Sequence, residues 1–425
     1  MESEVSVTPI EKDYHSKIIH HPYSEAVRDE FVAMFPEQKQ VMDLIINTID
    51  RQAVDNFQIF SSQAFPDVRF GYTTFDITPE LIHKIVNTSN NNNMDLSPQN
   101  QTEKSLSRHN RPKHDLTFIF PAFTQPDEAL SGIDIAINDF IRALPRVANP
   151  LRNGEEVPNV KLILLSTPSG FGGHLTKEWL NVLDQKGFDA YGQLFSEFVQ
   201  KIAAEQASSL DEIAVTLHGV SRGTILADRT ISRLPQDLKK HTQILLDNPA
   251  GVHNPKGVSG KIKSAQLLAG LVGEFVVTSI KTNVAKRVMK ESSAFKNTLR
   301  SKMQLPSDSR EQKIMKIAAV ASEGLHLLHG TPLDVDNNRL HIRESMKDPL
   351  TTGFTRLKTV FDKVRERKAI KEEGKRLIAI DEGRSTHYPT KHGFHFWIYR
   401  HYEKWNEIIK TIQQKNNPTT SPQKV

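Results

Sequence analysis

The chain has 425 residues, with 55 Lys and Arg against 50 Asp and Glu, a net charge of +5, and no cysteine. The missing thiols exclude a disulfide scaffold, a thiolate zinc site, an iron–sulfur cluster and a cysteine nucleophile. A surplus of this size leaves no footprint for nucleic acid, and 37% hydrophobic residues can build a core in two domains or in one large domain with an insertion.

Residues Met1 to Ser16 carry acids and no apolar h-region, so no secretory signal is expected there. The longest nearly apolar stretch, Ala265 to Ile280, holds Gln266 and Glu274 and is too short to span a bilayer; a buried or interfacial helix is expected. A cytoplasmic location follows as the default, with signal-independent export left open.

Residues 1–112 are expected to form N-terminal helices and an edge hairpin. QIFSS and VRFGYTTFD supply its strands, and an Asn-rich flexible loop from Asn87 to Arg111 ends the region. Residues 113–250 then alternate strand and helix. Apolar runs at Leu116 to Phe120, Val160 to Leu165, Glu212 to Leu217 and Gln243 to Leu246 predict strands. Helical spacing of Ile133, Ile137, Phe140, Ile141 and Leu144 predicts a helix over 133–144, and similar patterns predict helices over 188–204 and 224–234. Residues 251–338 read as an inserted helical cap. Residues 339–412 return to the core, with strands at Arg339 to Arg343 and Arg376 to Ile380, a helix over 353–368 and a last helix from about Phe396 to Gln413. The tail 413–425 is expected to be disordered. Unbroken apolar strands between helices predict an α/β fold, with a mostly parallel central sheet covered by helices on both faces. Ligands bind such sheets beyond the carboxyl ends of the strands, so the residues just after each strand are the candidates for chemistry.

After the third of the predicted parallel strands comes Gly219-Val220-Ser221-Arg222-Gly223, a G-x-S-x-G sequence leading straight into a predicted helix. In that setting the motif forms a tight elbow with the serine at its tip, and the flanking positions must be small. A serine hydroxyl needs a base to take its proton and an acid to orient that base. Asp348 follows the Arg339 to Arg343 strand and His387 follows the Arg376 to Ile380 strand, in the order nucleophile, acid, base. Asp247, Asp381 and Glu382 compete with Asp348, and His392 and His395 compete with His387. His218 reads as structural or pocket-lining, and His253 as an ordinary loop residue or a pocket-lining one. The adjacent His20 and His21 suit a solvated pair.

With these residues the chain resembles the α/β-hydrolase superfamily, over roughly Asp115 to Asp247 and Arg339 to Lys410. The resemblance rests on the Gly219 to Gly223 elbow, on Ser169-Gly170-Phe171-Gly172-Gly173 as the family's G-x-G loop, on Lys347-Asp348-Pro349-Leu350 as its acid loop and on His387 before the last helix. It implies a serine hydrolase of the esterase or lipase type, with Ser221 as nucleophile, Asp348 as acid and His387 as general base. It also implies an oxyanion hole from the backbone N–H groups of Arg222 and Phe123. Where the family commonly has His-Gly after its first parallel strand, this chain has Pro121-Ala122.

The insertion carries charge of its own: Lys256 to Lys316 holds 13 Lys and Arg against 4 Asp and Glu, more than the whole surplus of the chain. An apolar helix through Leu267, Leu271, Phe275 and Ile280 followed by Lys281, Lys286, Arg287 and Lys290 suits an acyl substrate or peripheral contact with an anionic membrane, as well as a plain solvated cap. No metal or cofactor motif is present, so neither is expected, and no nucleic acid partner is expected. The expected activity is cleavage of a small-molecule or lipid acyl ester. The other reading is a catalytically inactive hydrolase fold serving as a binding or membrane-recruitment module.

Overall fold

The computed structural model describes residues 38–88, 112–120, 133–168, 176–220, 222–247, 339–345, 385–388 and 402–413. The cap expected over 251–338, the strand at Arg376 to Ile380, the helix over 353–368, the Ser169 to Gly173 loop and the start of the last helix at Phe396 lie outside them.

In chain order the elements are α1 (Lys39–Asp55), β1 (Gln58–Ser61), β2 (Arg69–Ile77), α2 (Pro79–Thr88), β3 (His114–Phe120), α3 (Ile133–Arg152), β4 (Asn159–Leu165), α4 (Lys177–Lys186), α5 (Phe188–Gln206), β5 (Ile213–Val220), α6 (Gly223–Arg233), α7 (Gln236–Lys240), β6 (Thr242–Asp247), β7 (Leu340–Ser345), β8 (Ser385–Tyr388) and α8 (Tyr402–Gln413). The strands form one eight-stranded sheet in the order β1-β2-β4-β3-β5-β6-β7-β8. β2 runs antiparallel to both β1 and β4, and every pairing from β4 to β8 is parallel, so β2 is the one reversed strand among the described residues. The expected α/β class, edge hairpin and mostly parallel sheet are all present.

Side chains alternate across the sheet, as strand geometry requires, and each face has its own core. Val160, Leu162 and Leu164 of β4, Ile119 of β3 and Val220 of β5 pack with α1, α2, α3 and α8. Ile163, Leu165, Leu116, Phe118, Phe120, Val215 and Leu217 pack with α4, α5, α6 and Leu238 of α7. The second face is rich in rings. Phe198 of α5 lies against Phe60, Phe70, Tyr72 and Phe118, with centroids 5.1, 5.3, 4.7 and 5.9 Å away and edge-on geometry.

α2 falls in the region expected to hold N-terminal helices, and α4 and α7 sit where no helix was expected. α2 opens with Thr78-Pro79-Glu80, and the Leu81 N–H donates to Thr78 Oγ1 at 3.3 Å. α4 is capped by Thr176, whose Oγ1 accepts from the Trp179 N–H at 3.0 Å. Both carry the Thr cap and early acid of a helix start. The short α7 follows Pro235. Asn87 and Thr88, assigned from the sequence to the Asn-rich loop, instead close α2; the rest of that loop lies outside the described residues.

Candidate functional site

β5 runs on to Val220, three residues further than its apolar pattern predicts, because His218, Gly219 and Val220 stay in register with Leu245, Leu246 and Asp247 of β6. Arg222 already has helical angles (φ −57°, ψ −32°) and α6 starts at Gly223. One residue, Ser221, therefore separates strand from helix; its own placement lies outside the described residues. A Cβ built on Gly219 would fall 2.5 Å from the Gly223 carbonyl oxygen and 2.5 Å from the Thr224 Cα. Gly219 and Gly223 are thus the places where strand and helix backbones touch, as a G-x-S-x-G elbow requires.

Arg222 is buried, and its guanidinium lies 5.8 Å from the centre of the Tyr191 ring on α5. Burial lowers its pKa, and Tyr191 partly offsets that. Its side chain is therefore anchored in the α5 layer, while its carbonyl accepts from the Ile225 N–H at 3.0 Å.

Beneath the turn, on the other face of the sheet, the structure shows a charged cluster that the sequence reading did not connect. His218 is fully buried. Its Nδ1 meets Asp139 Oδ2 of α3, and its Nε2 lies 3.0 Å from Asp247 Oδ2 at the end of β6. A carboxylate on each ring nitrogen favours a ring that donates from both, the imidazolium form. Burial alone would push its pKa down. The charge of Asp139 and its hydrogen bond, together with the hydrogen bond and charge of Asp247, outweigh that and raise it from 6.5 to about 10. His218 is thus held inside the fold by partners on two other elements. Asp247, a rival for the catalytic acid, has its Oδ2 engaged by this histidine.

The other sequence-predicted residues are placed as follows. Phe123 and Asp348 lie outside the described residues, as do His253, Asp381, Glu382, His392 and His395. His387 falls inside β8, with its backbone opposite Glu344 of β7, and not past a strand end as expected. β8 is three places from β5 in the sheet. Among the described residues the structure brings Gly219, Arg222 and Gly223 together where β5 gives way to α6. The cause of the difference is the strand itself. STHY, read as loop after Arg376 to Ile380, pairs with β7 from Ile342 to Ser345.

Among the described residues no group of three or more His, Asp or Glu is arranged to hold a metal ion, and no helix is long and apolar enough to cross a membrane.

No protein-family model and no curated protein sequence matches the chain. Solved structures similar to it include a highly thermostable carboxyl esterase from Bacillus coagulans in complex with glycerol. It has 12% identity and a TM-score of 0.37, over 84% of this chain and 98% of that one. A peroxisomal alpha-beta-hydrolase from Saccharomyces cerevisiae has 8% identity and a TM-score of 0.37, over 87% and 92%. A siderophore hydrolase from Aspergillus fumigatus has 11% identity and a TM-score of 0.31, over 80% and 95%. Likenesses this distant carry nothing about chemistry. The strand order, the one reversed strand among the described residues and the glycine-flanked turn from β5 into α6 give the chain a mostly parallel α/β sheet with the strand-to-helix elbow that the resemblance to the α/β-hydrolase superfamily implies.

Proposed function

We propose that the protein is a serine hydrolase that cleaves an acyl ester, with Ser221 as its nucleophile. The observation that supports this most is the contact of Gly219 with Gly223 and Thr224 where β5 gives way to α6. Such a turn crowds two backbones together, which costs packing freedom, and its return is a side chain presented beyond the sheet at a helix N-terminus. In the proposed reaction the Ser221 Oγ attacks the substrate carbonyl carbon while a histidine takes its proton. The backbone N–H groups of Arg222 and Phe123 hold the oxyanion, each typically contributing about 3–4 kcal/mol to the transition state. The carbon–oxygen bond to the leaving alcohol breaks as the histidine returns the proton to it. Water, deprotonated by the same histidine, then releases the acid and restores the serine.

Asp348 is the proposed acid and His387 the proposed base. Because β8 ends at Tyr388, His392 and His395 now follow a strand end, the position from which His387 was chosen, and they are its direct rivals. A fluorophosphonate probe tests the assignment. Wild type should be labelled and Ser221→Ala should not, and among His387→Ala, His392→Ala and His395→Ala the base is the position whose loss abolishes labelling in a folded protein. The acyl chain is the favoured substrate part because of the apolar, basic segment 256–316, which also suits contact with anionic lipid.

The departure of Pro121-Ala122 from the family's His-Gly favours a second reading, a hydrolase fold that binds without turning over. Salt-sensitive sedimentation with anionic vesicles, together with no labelling and no turnover of p-nitrophenyl esters, is the result that reading predicts.

A further inference from the structure

The buried cluster under the turn has no part in the steps above. His218 is three residues before Ser221 on β5 and is tied to two other elements: to α3 through Asp139 and to β6 through Asp247. Asp247 lies opposite Val220, the last residue of β5, so the Asp247 bond spans the final rung of the sheet before the tip. Side-chain alternation puts His218 and Val220 on the α3 face, and Gly219 on the α6 face. The end of β5 is therefore held from both sides, by glycine-to-backbone contact above and by an ionic bridge below. A purely apolar residue at 218 would fill the same space at lower electrostatic cost, since burying three charges is expensive unless every bond is made. What an ionic bridge adds is a fixed direction and distance between the elements it joins.

We infer that Asp139, His218 and Asp247 are positioning residues for the Ser221 nucleophile, holding the last rung of β5 at the height at which the tip residue can react. The inference rests on the serine hydrolase reading. Among the described residues the charged groups that act on His218 include Asp139 from α3 and Asp247 from β6, and β3 on the other flank sets Ile119 opposite it. When the ring loses a proton, one nitrogen turns its lone pair toward a carboxylate, and one of the two ties becomes repulsive. Reactivity at 221 should then fall while the fold persists.

The experiment measures the rate of fluorophosphonate labelling of the full-length protein between pH 7 and 11, with circular dichroism at each pH. In wild type the rate should fall along an alkaline limb near pH 10, reversibly and with the spectrum intact, as the raised pKa of His218 requires. Asp139→Asn keeps an acceptor for Nδ1 but removes one charge, so its limb should move down by about one to three pH units. Asp247→Asn should do the same from the other nitrogen, and it serves if Asp139→Asn does not fold. A merely structural bridge would lower the melting temperature of these variants and leave the limb in place, or lose labelling and spectrum together; either result overturns the inference. Failure of both variants to fold at pH 8 also counts against it. Folded wild type that takes no label at any pH overturns the hydrolase reading instead, and the inference with it.

Discussion

Replacing Gly219 by Ala is the sharpest probe of the turn. The added Cβ would lie 2.5 Å from the Gly223 oxygen, 2.5 Å from the Thr224 Cα and 2.7 Å from the Gly223 carbon. All three are backbone atoms, so no side chain can swing aside, and strand or helix must move by at least half an ångström. Inserting a methyl group into packed surroundings costs about 1–3 kcal/mol, and a rigid neighbour on every side places this case at the upper end, about 3 kcal/mol. The shift acts on the tip, so labelling of Ser221 should fall far more than stability does. Equilibrium unfolding in urea gives the first quantity and the fluorophosphonate labelling rate the second. Gly187→Ala is the control, because at φ +53° its Cβ meets nothing within 4 Å. It should lose about 1–2 kcal/mol from left-handed strain and keep its labelling rate. A Gly219→Ala protein as stable and as reactive as wild type would show that strand and helix do not cross as described.

Other outcomes follow from the same geometry. Phe198→Ala removes a ring that touches four others and should cost about 3–5 kcal/mol in urea unfolding. Glu197→Ala takes the acceptor from Ser62 Oγ (2.6 Å) and from the Gln63 and Ala64 N–H groups (2.5 and 3.3 Å), freeing the β1–β2 connection; about 1–3 kcal/mol is expected, with labelling unchanged. His218→Leu leaves Asp139 and Asp247 buried without their shared cation and should cost about 3–5 kcal/mol at pH 7. The pH dependence of stability carries the same signature. The pKa of His218 is raised in the folded state, so its contribution is complete below pH 6.5 and is lost as pH climbs from 6.5 to about 10. Urea midpoints should decline over that window in wild type and decline less in His218→Leu.

Much of the fold could be read from the chain because its strands are short apolar runs between helices of clear period, and the layers follow from that alternation. The departures have local causes. The helix expected to stop at Leu144 continues to Arg152 through Pro145 and Pro150 because Val147 and Ala148 remain buried and Arg146 pairs with Asp115 at 2.9 Å. Tertiary contact here outweighs the penalty of proline. The apolar run of β5 ends at Leu217, yet ladder pairing with β6 carries His218, Gly219 and Val220 into the strand. The elbow was legible since it is a contiguous motif in a readable context. The Asp139–His218–Asp247 bridge was not, as its members are 79 and 29 residues apart and only packing joins them. Asp139 did leave one trace: an acid beside Phe140 and Ile141 on a helix whose first half is buried nearly all round.

The most direct test of the account is to expose folded, full-length protein to a fluorophosphonate probe and map the modified peptide. A single adduct on Ser221, absent from Ser221→Ala, is the predicted result. No adduct on folded protein, or an adduct on another residue that survives Ser221→Ala, would contradict it.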